Sequence, residues 1–296
     1  MGKTKLNSKK AVGITIKAVV WTVTFLYSLT LLAMYLWVFL STFKDRIDFS
    51  LNPFGWPKRW TFDNYKNAFL NFSVPISRGG KIVTVYIEEL LGNSFLYILG
   101  CSVAATIAPA LVAYATSRFD FPFNKLLDGI VIVTMVLPII GADAALIQMT
   151  RTLGLYDHFY GMWFMKFMFL GFNYLLFKSA FRGVDKAFSE AALIDGASEF
   201  CVMWKINFPM VASVMAIVFT LQLMGFWADW TTPLIYMPHR PTVAYALYEL
   251  QFTSDPKLTL KPLQFAACIM ASIPTLAIFI AFRNKIIGGV EFGGIK

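Results

Sequence analysis

Hydrophobic and polar positions along this chain separate into long blocks. Six blocks carry few charges, and each is close to or above the roughly 20 apolar residues that a helix needs to cross a bilayer. We therefore predict an all-α, polytopic membrane protein with six transmembrane helices between residues 18 and 283. The predicted spans are approximately 18–43, 90–117, 126–148, 158–178, 208–229 and 262–282.

The composition supports a protein whose main solvent is lipid. Of the 296 residues, 57% are hydrophobic and 15% are charged, against about 25% charged in soluble domains. The net charge of +9 comes from Lys and Arg residues spread between the apolar blocks, so we expect no nucleic-acid partner. Cys101, Cys201 and Cys268 lack the spacing of a disulfide framework or a metal site, and we predict no bound metal.

Charge at the N-terminus predicts the orientation. Segment 1–17 contains five lysines and precedes the first apolar block, which is longer than the 7 to 15 or so apolar residues of a signal peptide. The positive-inside rule then places segment 1–17 in the cytoplasm. With six spans, the tail at 284–296 is also cytoplasmic, and segment 44–89, with a Gly79-Gly80 turn, is a folded external loop near the membrane interface.

A charged, small-residue island at 185–209 separates the fourth and fifth spans. At 100° per residue, Ala192 and Gly196 share one side of a helix that has little bulk, with Glu190 and Asp195 beside it. Asp185 can start this helix and Gly196 can bend or end it. Two interpretations remain open: a docking helix for a partner protein, and an amphipathic linker on the membrane surface.

Several polar residues stand inside or beside apolar blocks. Pro138 and Asp143 lie in the third predicted span, where they are costly unless they face protein or water. They therefore indicate a pathway or a subunit interface, although Asp143 can equally lie at the outer end of a short span. Trp227 and Asp229 end the fifth span and are further candidates for the pathway or its external gate.

Motifs of catalysis and of nucleotide binding are missing from the sequence. The chain has no HExxH, no GxSxG and no GxxxxGK[ST], so we predict neither an enzyme nor a cofactor held by this chain. If ATP drives its action, a partner must hydrolyse the ATP.

The island at 185–209 contains a characteristic sequence pattern. Residues 190–192 read Glu-Ala-Ala, residues 195–197 read Asp-Gly-Ala, and Pro209 precedes the next span. This pattern resembles the EAA loop of ATP-binding-cassette importer permeases. Residues 60–65, Trp-Thr-Phe-Asp-Asn-Tyr, are similar to an external-loop segment of carbohydrate-type permeases. The glycine-rich tail is similar to that of MalG-like subunits. Asp185 stands where the family commonly has proline, and Trp227-Ala228-Asp229-Trp230 departs from the usual Trp-Asn-Asp/Glu-Phe.

The resemblance implies a type I importer permease fold in the bacterial cell membrane. It implies transport of a sugar or oligosaccharide together with a second homologous permease, a dimer of ATPase subunits that holds ATP and Mg, and an extracytoplasmic solute-binding protein. The residues it assigns to ATPase coupling are Glu190, Ala191, Ala192, Asp195, Gly196, Ala197 and Pro209, with Gly289, Gly293, Gly294 and Lys296 as tail contacts.

Three alternatives stay open at this point. The first is a permease of the same class for glycerol phosphate or a polyamine. The second is an ion-driven secondary carrier that uses Asp143 as its ion site. The third is a membrane receptor or scaffold, because hydrophobicity alone does not identify a transporter.

Overall fold

The computed structural model describes residues 2–137, 141–253, 255–256 and 258–293, and most of them are helical. A π-helical turn, Met203–Asn207, joins the short helices Glu199–Val202 and Phe208–Met210. The helices are α1 Gly2–Ser41, α2 Arg46–Leu51, α3 Asp63–Asn71, α4 Ile87–Arg118, α5 Asn124–Val136, α6 Asp143–Thr152, α7 Phe159–Lys166, α8 Phe172–Arg182, α9 Ala187–Ile194, α10 Glu199–Val202, α11 Phe208–Met210, α12 Ala212–Trp227, α13 Thr231–Tyr236, α14 Val243–Glu249 and α15 Lys261–Gly293.

Among the described residues, three helical stretches are long and apolar enough to cross a membrane: Ile14–Ser41, Ile87–Arg118 and Lys261–Arg283. A fourth is counted if Glu199–Met210 and Ala212–Trp227, bent by 74° at their junction, form one span. These stretches coincide with the first, second, sixth and fifth predicted spans. The prediction of an all-α polytopic protein is confirmed.

The third and fourth predicted spans differ from continuous helices. Span 126–148 is divided into α5 and α6, and its Pro138 lies outside the described residues. Leu137, the residue before that proline, is already extended, with φ −87° and ψ 110°, as the clash with a following proline ring favours.

Span 158–178 is divided into α7 and α8. Gly171 precedes α8 at φ 131°, a value that only glycine adopts readily, while the apolar residues around the break conceal it from a hydropathy pattern.

The segment predicted as an external loop is folded. It contains α2, α3 and an antiparallel hairpin of β1, Ser73–Arg78, and β2, Lys81–Tyr86, in which Arg78 pairs with Lys81. Gly79 and Gly80 form its two-residue turn with φ values of 60° and 77°, as a type I′ turn requires.

At the other end of the chain, the predicted tail 284–296 continues α15 as far as Gly293, and Gly294 and Lys296 lie outside the described residues.

The chain forms two compact units. The first comprises the described residues of Met1–Asn71 and Thr253–Met270, and the second those of Phe72–Phe252 and Ala271–Lys296. In the second unit, α4 is the central helix and packs against α7, α8 and α12. An apolar cluster joins α4, α8, α11 and α12 at one end, and among its members are Tyr114, Phe177, Phe181 and Phe208.

A partly buried ion pair, in which Lys178 is buried and the Asp128 side chain is 31% exposed, connects α5 and α8 beside this cluster. Lys178, only 4% exposed, places its Nζ 2.5 Å from the Asp128 carboxylate. The Tyr174 hydroxyl lies 2.8 Å from the same carboxylate and 2.9 Å from Thr116 Oγ1 on α4. Each ionised group thus keeps a polar partner, which a charge in a lipid-embedded bundle needs.

We predict that Lys178→Met lowers the stability of the transporter more than Lys178→Met combined with Asp128→Asn. The single change leaves a carboxylate without its cation, at a cost of about 1–3 kcal/mol, whereas the double change removes both charges. The thermal midpoint of the detergent-solubilised protein measures the difference. Lys125→Met removes an exposed lysine one turn from Asp128 and is the control. Equal midpoints for the single and double variants would contradict the pairing.

Candidate functional site

Helix α9 carries the centre of the island 185–209 and is not covered by the described part of its own chain. None of its residues is buried, and Ile194 and Phe188 are 86% and 54% exposed. Asp185 accepts a hydrogen bond from the backbone N–H of Ala187 at 3.0 Å, so its carboxylate satisfies one of the unpaired donors of the first turn. An exposed helix that presents the apolar side chains of Phe188 and Ile194 near the carboxylate of Glu190 is suited to contact with a protein partner.

The far end of α9 is closed by a Schellman motif. Gly196 has φ 86°, and its N–H donates to Leu193 O at 3.0 Å, while the Ala197 N–H donates to Ala192 O at 2.9 Å. This pair of bonds satisfies the last carbonyls of a helix and requires a residue that tolerates positive φ. Gly196 therefore ends α9 rather than bending it.

A buried amide fastens α9 to the segment that leads into the membrane. Asn207, 0% exposed, donates from Nδ2 to Ser189 Oγ at 3.0 Å and to Val202 O at 3.3 Å. We call the Ser189–Asn207 contact the clamp. Just before α9 begins, Val184 O accepts a hydrogen bond from Arg118 Nη2 at 3.0 Å. Helix α9 is thus tied both to the π-helical turn and to the end of α4.

The clamp leads directly to α12. Asn207 ends the π-helical turn, a rare element that often marks functional sites. Pro209 follows in the first turn of α11, where a missing N–H costs little. The ring of Phe208 packs against those of Tyr114 and Phe181, with centroids 6.1 and 5.5 Å away. The bend between α11 and α12 follows, so the chain runs from the clamp directly into a membrane helix.

The structure brings together most residues assigned to coupling. Glu190, Ala191 and Ala192 lie on α9, and residues 195–197 form its end, whereas Pro209 lies beyond the clamp on α11. Sequence reasoning missed Ser189 and Asn207. One signal was present, because Asn207 is an amide between the apolar residues Ile206 and Phe208.

A cavity of about 400 Å³ lies between α4, α12 and the break that separates α7 from α8. Its polar lining consists of Lys166, Asn173 and Gln222, and its remaining lining includes Phe169 and Phe226. The Lys166 ammonium lies 5.5 Å from the centre of the Phe226 ring. Non-helical backbone within a membrane is tolerated where it lines such a cavity. The position of the break between α7 and α8 beside this cavity is consistent with that requirement.

The candidates at the end of α12 have contacts within the second unit. Asp229 accepts hydrogen bonds from Tyr97 Oη at 2.7 Å and from the Thr232 N–H at 3.0 Å, and Thr232 Oγ1 lies 3.4 Å from Lys166 Nζ. Asp229 is therefore connected to the cavity through Thr232. Trp227 is 7% exposed and donates from Nε1 to Ala271 O at 2.8 Å, which is a packing role.

Asp143 is not in the interior of an apolar helix. It is the exposed first residue of α6, where the positive end of the helix dipole favours a carboxylate. Burial raises the pKa of Tyr236, and the negative charge of Asp143 contributes to the same shift, so Asp143 faces the region of α13. It is not among the described residues that line the cavity.

The chain is thus a polytopic helical protein in which an uncovered helix, α9, lies between two membrane segments. The chain belongs to the family described as binding-protein-dependent transport system inner membrane component, whose model matches residues 105–285, more than half of the chain. It is a multi-pass cell-membrane protein and a transport component rather than an enzyme. Permeases of this family work with a solute-binding protein and an ATPase.

Curated relatives extend the similarity over most of the chain. The diacetylchitobiose uptake system permease protein NgcG of Streptomyces coelicolor is 25% identical, covering 92% of this chain and 86% of that protein. The maltodextrin transport system permease protein MdxG of Bacillus subtilis is 26% identical, covering 80% and 81%. The predicted resemblance to carbohydrate-type permeases is confirmed.

A solved structure shares the fold. A chain of a bacterial ATP-binding-cassette transporter involved in the import of the acidic polysaccharide alginate has a TM-score of 0.72 at 19% identity, covering 94% of this chain and 97% of that chain. The type I importer permease fold is thereby confirmed. The family assignment decides against the ion-driven carrier and the receptor.

Proposed function

We propose that this chain is one of two homologous permease subunits of a bacterial ATP-driven importer for a sugar or oligosaccharide. The relatives support the solute class, since their names specify diacetylchitobiose, starch degradation products and maltodextrin. An extracytoplasmic binding protein delivers the solute. ATP and Mg²⁺ bind to a dimer of partner ATPase subunits, and this chain holds no cofactor.

Helix α9 is the proposed docking element for one ATPase subunit. The observation that carries this proposal is that α9 is uncovered by the described part of its own chain yet is fixed at its N-terminal half, through Val184 just before the helix and Ser189 in its first turn. A flexible linker would absorb the movement of a closing ATPase by changing its own conformation. A helix fixed to its neighbours instead transmits that movement to α12. Glu190 supplies a carboxylate for a basic group of the ATPase, and the small side chains of Ala191, Ala192 and Ala197 permit close approach.

Coupling through α9 has a thermodynamic requirement. ATP shifts the permease between inward-facing and outward-facing states only as far as its affinity differs between them. A shift from 1:99 to 99:1 needs a differential of about 5.5 kcal/mol. That differential must act through the docked helix, because we assign no nucleotide site to this chain.

Docking of an ATPase also defines the orientation that we propose. It places segment 185–209 in the cytoplasm, in agreement with the lysines of segment 1–17, so both termini are cytoplasmic. Gly289 and Gly293 lie on the last turns of α15. We propose that this end of the chain, with Gly294 and Lys296, is a second contact with the ATPase dimer.

The cavity at the break between α7 and α8 is the proposed contribution of this subunit to the solute pathway. The amides of Asn173 and Gln222 can exchange hydrogen bonds with sugar hydroxyls, and aromatic rings such as Phe169 and Phe226 offer apolar faces to a pyranose. The ammonium of Lys166 in the same lining disfavours a polyamine. Asp229 is connected to this cavity, while roles for Pro138, Asp143 and Trp227 on the pathway or gate stay predictions.

We predict that Glu190→Lys, or replacement of Ala192 or Gly196 by tryptophan, weakens ATPase binding about tenfold, which corresponds to about 1.4 kcal/mol. Reversal of the charge repels a basic partner, and bulk at Ala192 prevents close approach of the backbone. A side chain at Gly196 adds bulk and also strains the φ of 86° that closes α9. Affinity between the purified permease pair and the ATPase is the measurement.

Asp120→Lys is the matched control, because Asp120 is an exposed acid in the linker after α4 and outside α9. It is expected to bind the ATPase normally. Normal ATPase binding and normal uptake in all the α9 variants would refute docking at this helix.

For the cavity, we predict that Gln222→Leu lowers the initial uptake rate about tenfold while the complex assembles normally. The substitution keeps the side-chain volume and removes the hydrogen bonds that an amide gives to a polar solute. Uptake is measured in proteoliposomes with labelled chito- and malto-oligosaccharides. Gln148→Leu, at an exposed position of α6 outside the lining, is the control. Equal uptake by the two variants would remove the cavity from the pathway.

A further inference from the structure

Segment 45–62 of the first unit presents large apolar side chains outward. Ile47, Leu51, Phe54 and Trp56 are 71%, 75%, 82% and 71% exposed. Ile47 and Leu51 are four residues apart on α2, so they share one face of that helix. We call these four side chains the apolar rim.

The rim is held rigidly rather than on a free loop. Lys44, 0% exposed, donates from Nζ to Asn52 O at 2.6 Å. Asp45 caps α2 by accepting from the Asp48 N–H at 2.7 Å, and Asp48 accepts from the Lys58 N–H at 2.8 Å. The outward direction of the apolar side chains is therefore built into the fold, and the segment does not turn them inward.

Contacts with α1 place the rim at the level of a membrane surface. Trp37 donates from Nε1 to Pro53 O at 2.9 Å, and its ring stacks on that of Phe54 with centroids 5.6 Å apart. Trp37 lies four residues, about 6 Å, before the end of the candidate span Ile14–Ser41. That span of 28 residues is about 42 Å long, close to the 40–45 Å or so of a bilayer with its headgroups.

Contacts with the beginning of α15 also place the rim at the level of the membrane surface. The Phe265 ring lies 5.6 Å from that of Trp37 and 6.0 Å from that of Phe49, centre to centre. Phe265 is four residues into the candidate span that starts at Lys261. The ends of two spans therefore meet at the ring cluster that carries Phe54.

We propose that the apolar rim is inserted in the headgroup and acyl-chain boundary of the bilayer, in the leaflet at the end of α1 away from the N-terminus. Trp and other aromatic side chains favour this depth, and a short helix with one apolar face lies flat in it. The exposed Arg46, Lys58 and Arg59 beside the rim suit lipid phosphates. The partner is thus lipid, and the surface anchors the first unit to the membrane.

The test uses the complete transporter in nanodiscs of phosphatidylcholine and phosphatidylglycerol. Leu51→Cys and Trp56→Cys are each labelled with an environment-sensitive fluorophore. The emission of the labelled unaltered protein is subtracted, because label on Cys101, Cys201 and Cys268 gives a background signal. Quenching by phospholipid brominated near the top of its acyl chains is compared with quenching by aqueous iodide. Asn67→Cys, at an exposed polar position of α3, is the control.

Both rim labels are expected to lose at least half of their emission to brominated lipid and to be little affected by iodide, with the opposite pattern for residue 67. Quenching of the rim labels by iodide would mean a water-exposed surface and would overturn the proposal. Protection from both quenchers would mean that a protein covers the rim, and would also overturn it. Ile47→Cys replaces either rim variant that fails to assemble.

Discussion

A buried amide holds α9 to the segment that leads into the membrane. Asn207 has no exposed surface, and its side-chain bonds to Ser189 and Val202 are the partners that its burial requires. Leaving such a group unsatisfied costs about 1–3 kcal/mol, so α9 cannot separate from the π-helical turn without a penalty. The turn continues through α11 into α12. A helix that has no buried residue of its own is consequently a rigid extension of a membrane segment.

A second constraint comes from the bilayer. Backbone polar groups in lipid must be paired internally, so a broken helix is acceptable where it lines a cavity or is covered by protein. The break between α7 and α8 lies at a cavity with an ammonium group and two amides. The same constraint accounts for the Lys178–Asp128 pair, in which the buried ammonium has a partner within the bundle. These polar residues of the second unit therefore lie at the wall of the cavity and at the junction of α5 and α8.

The sequence predicted some of these features and not others, for physical reasons. Long apolar blocks predict α1, α4 and α15 because hydropathy measures suitability for lipid. Gly196 predicts a bend or an end of α9 because few other residues adopt its φ, and the structure shows the end. The break at Gly171 was missed because Phe, Met and Leu around it are as apolar as a helix interior. The clamp and the Lys178–Asp128 pair were missed because each joins residues 18 or 50 positions apart, and a single sequence gives no measure of such proximity.

The clamp provides the most direct test of the coupling account. The measurement is the number of solute molecules imported per ATP hydrolysed by the reconstituted transporter carrying Ser189→Ala or Asn207→Ala, with Ser179→Ala, an exposed serine of α8, as control. We expect hydrolysis to persist while uptake falls about tenfold, because α9 still docks but no longer moves α12. A ratio equal to that of the control, in complexes that assemble normally, would contradict the account.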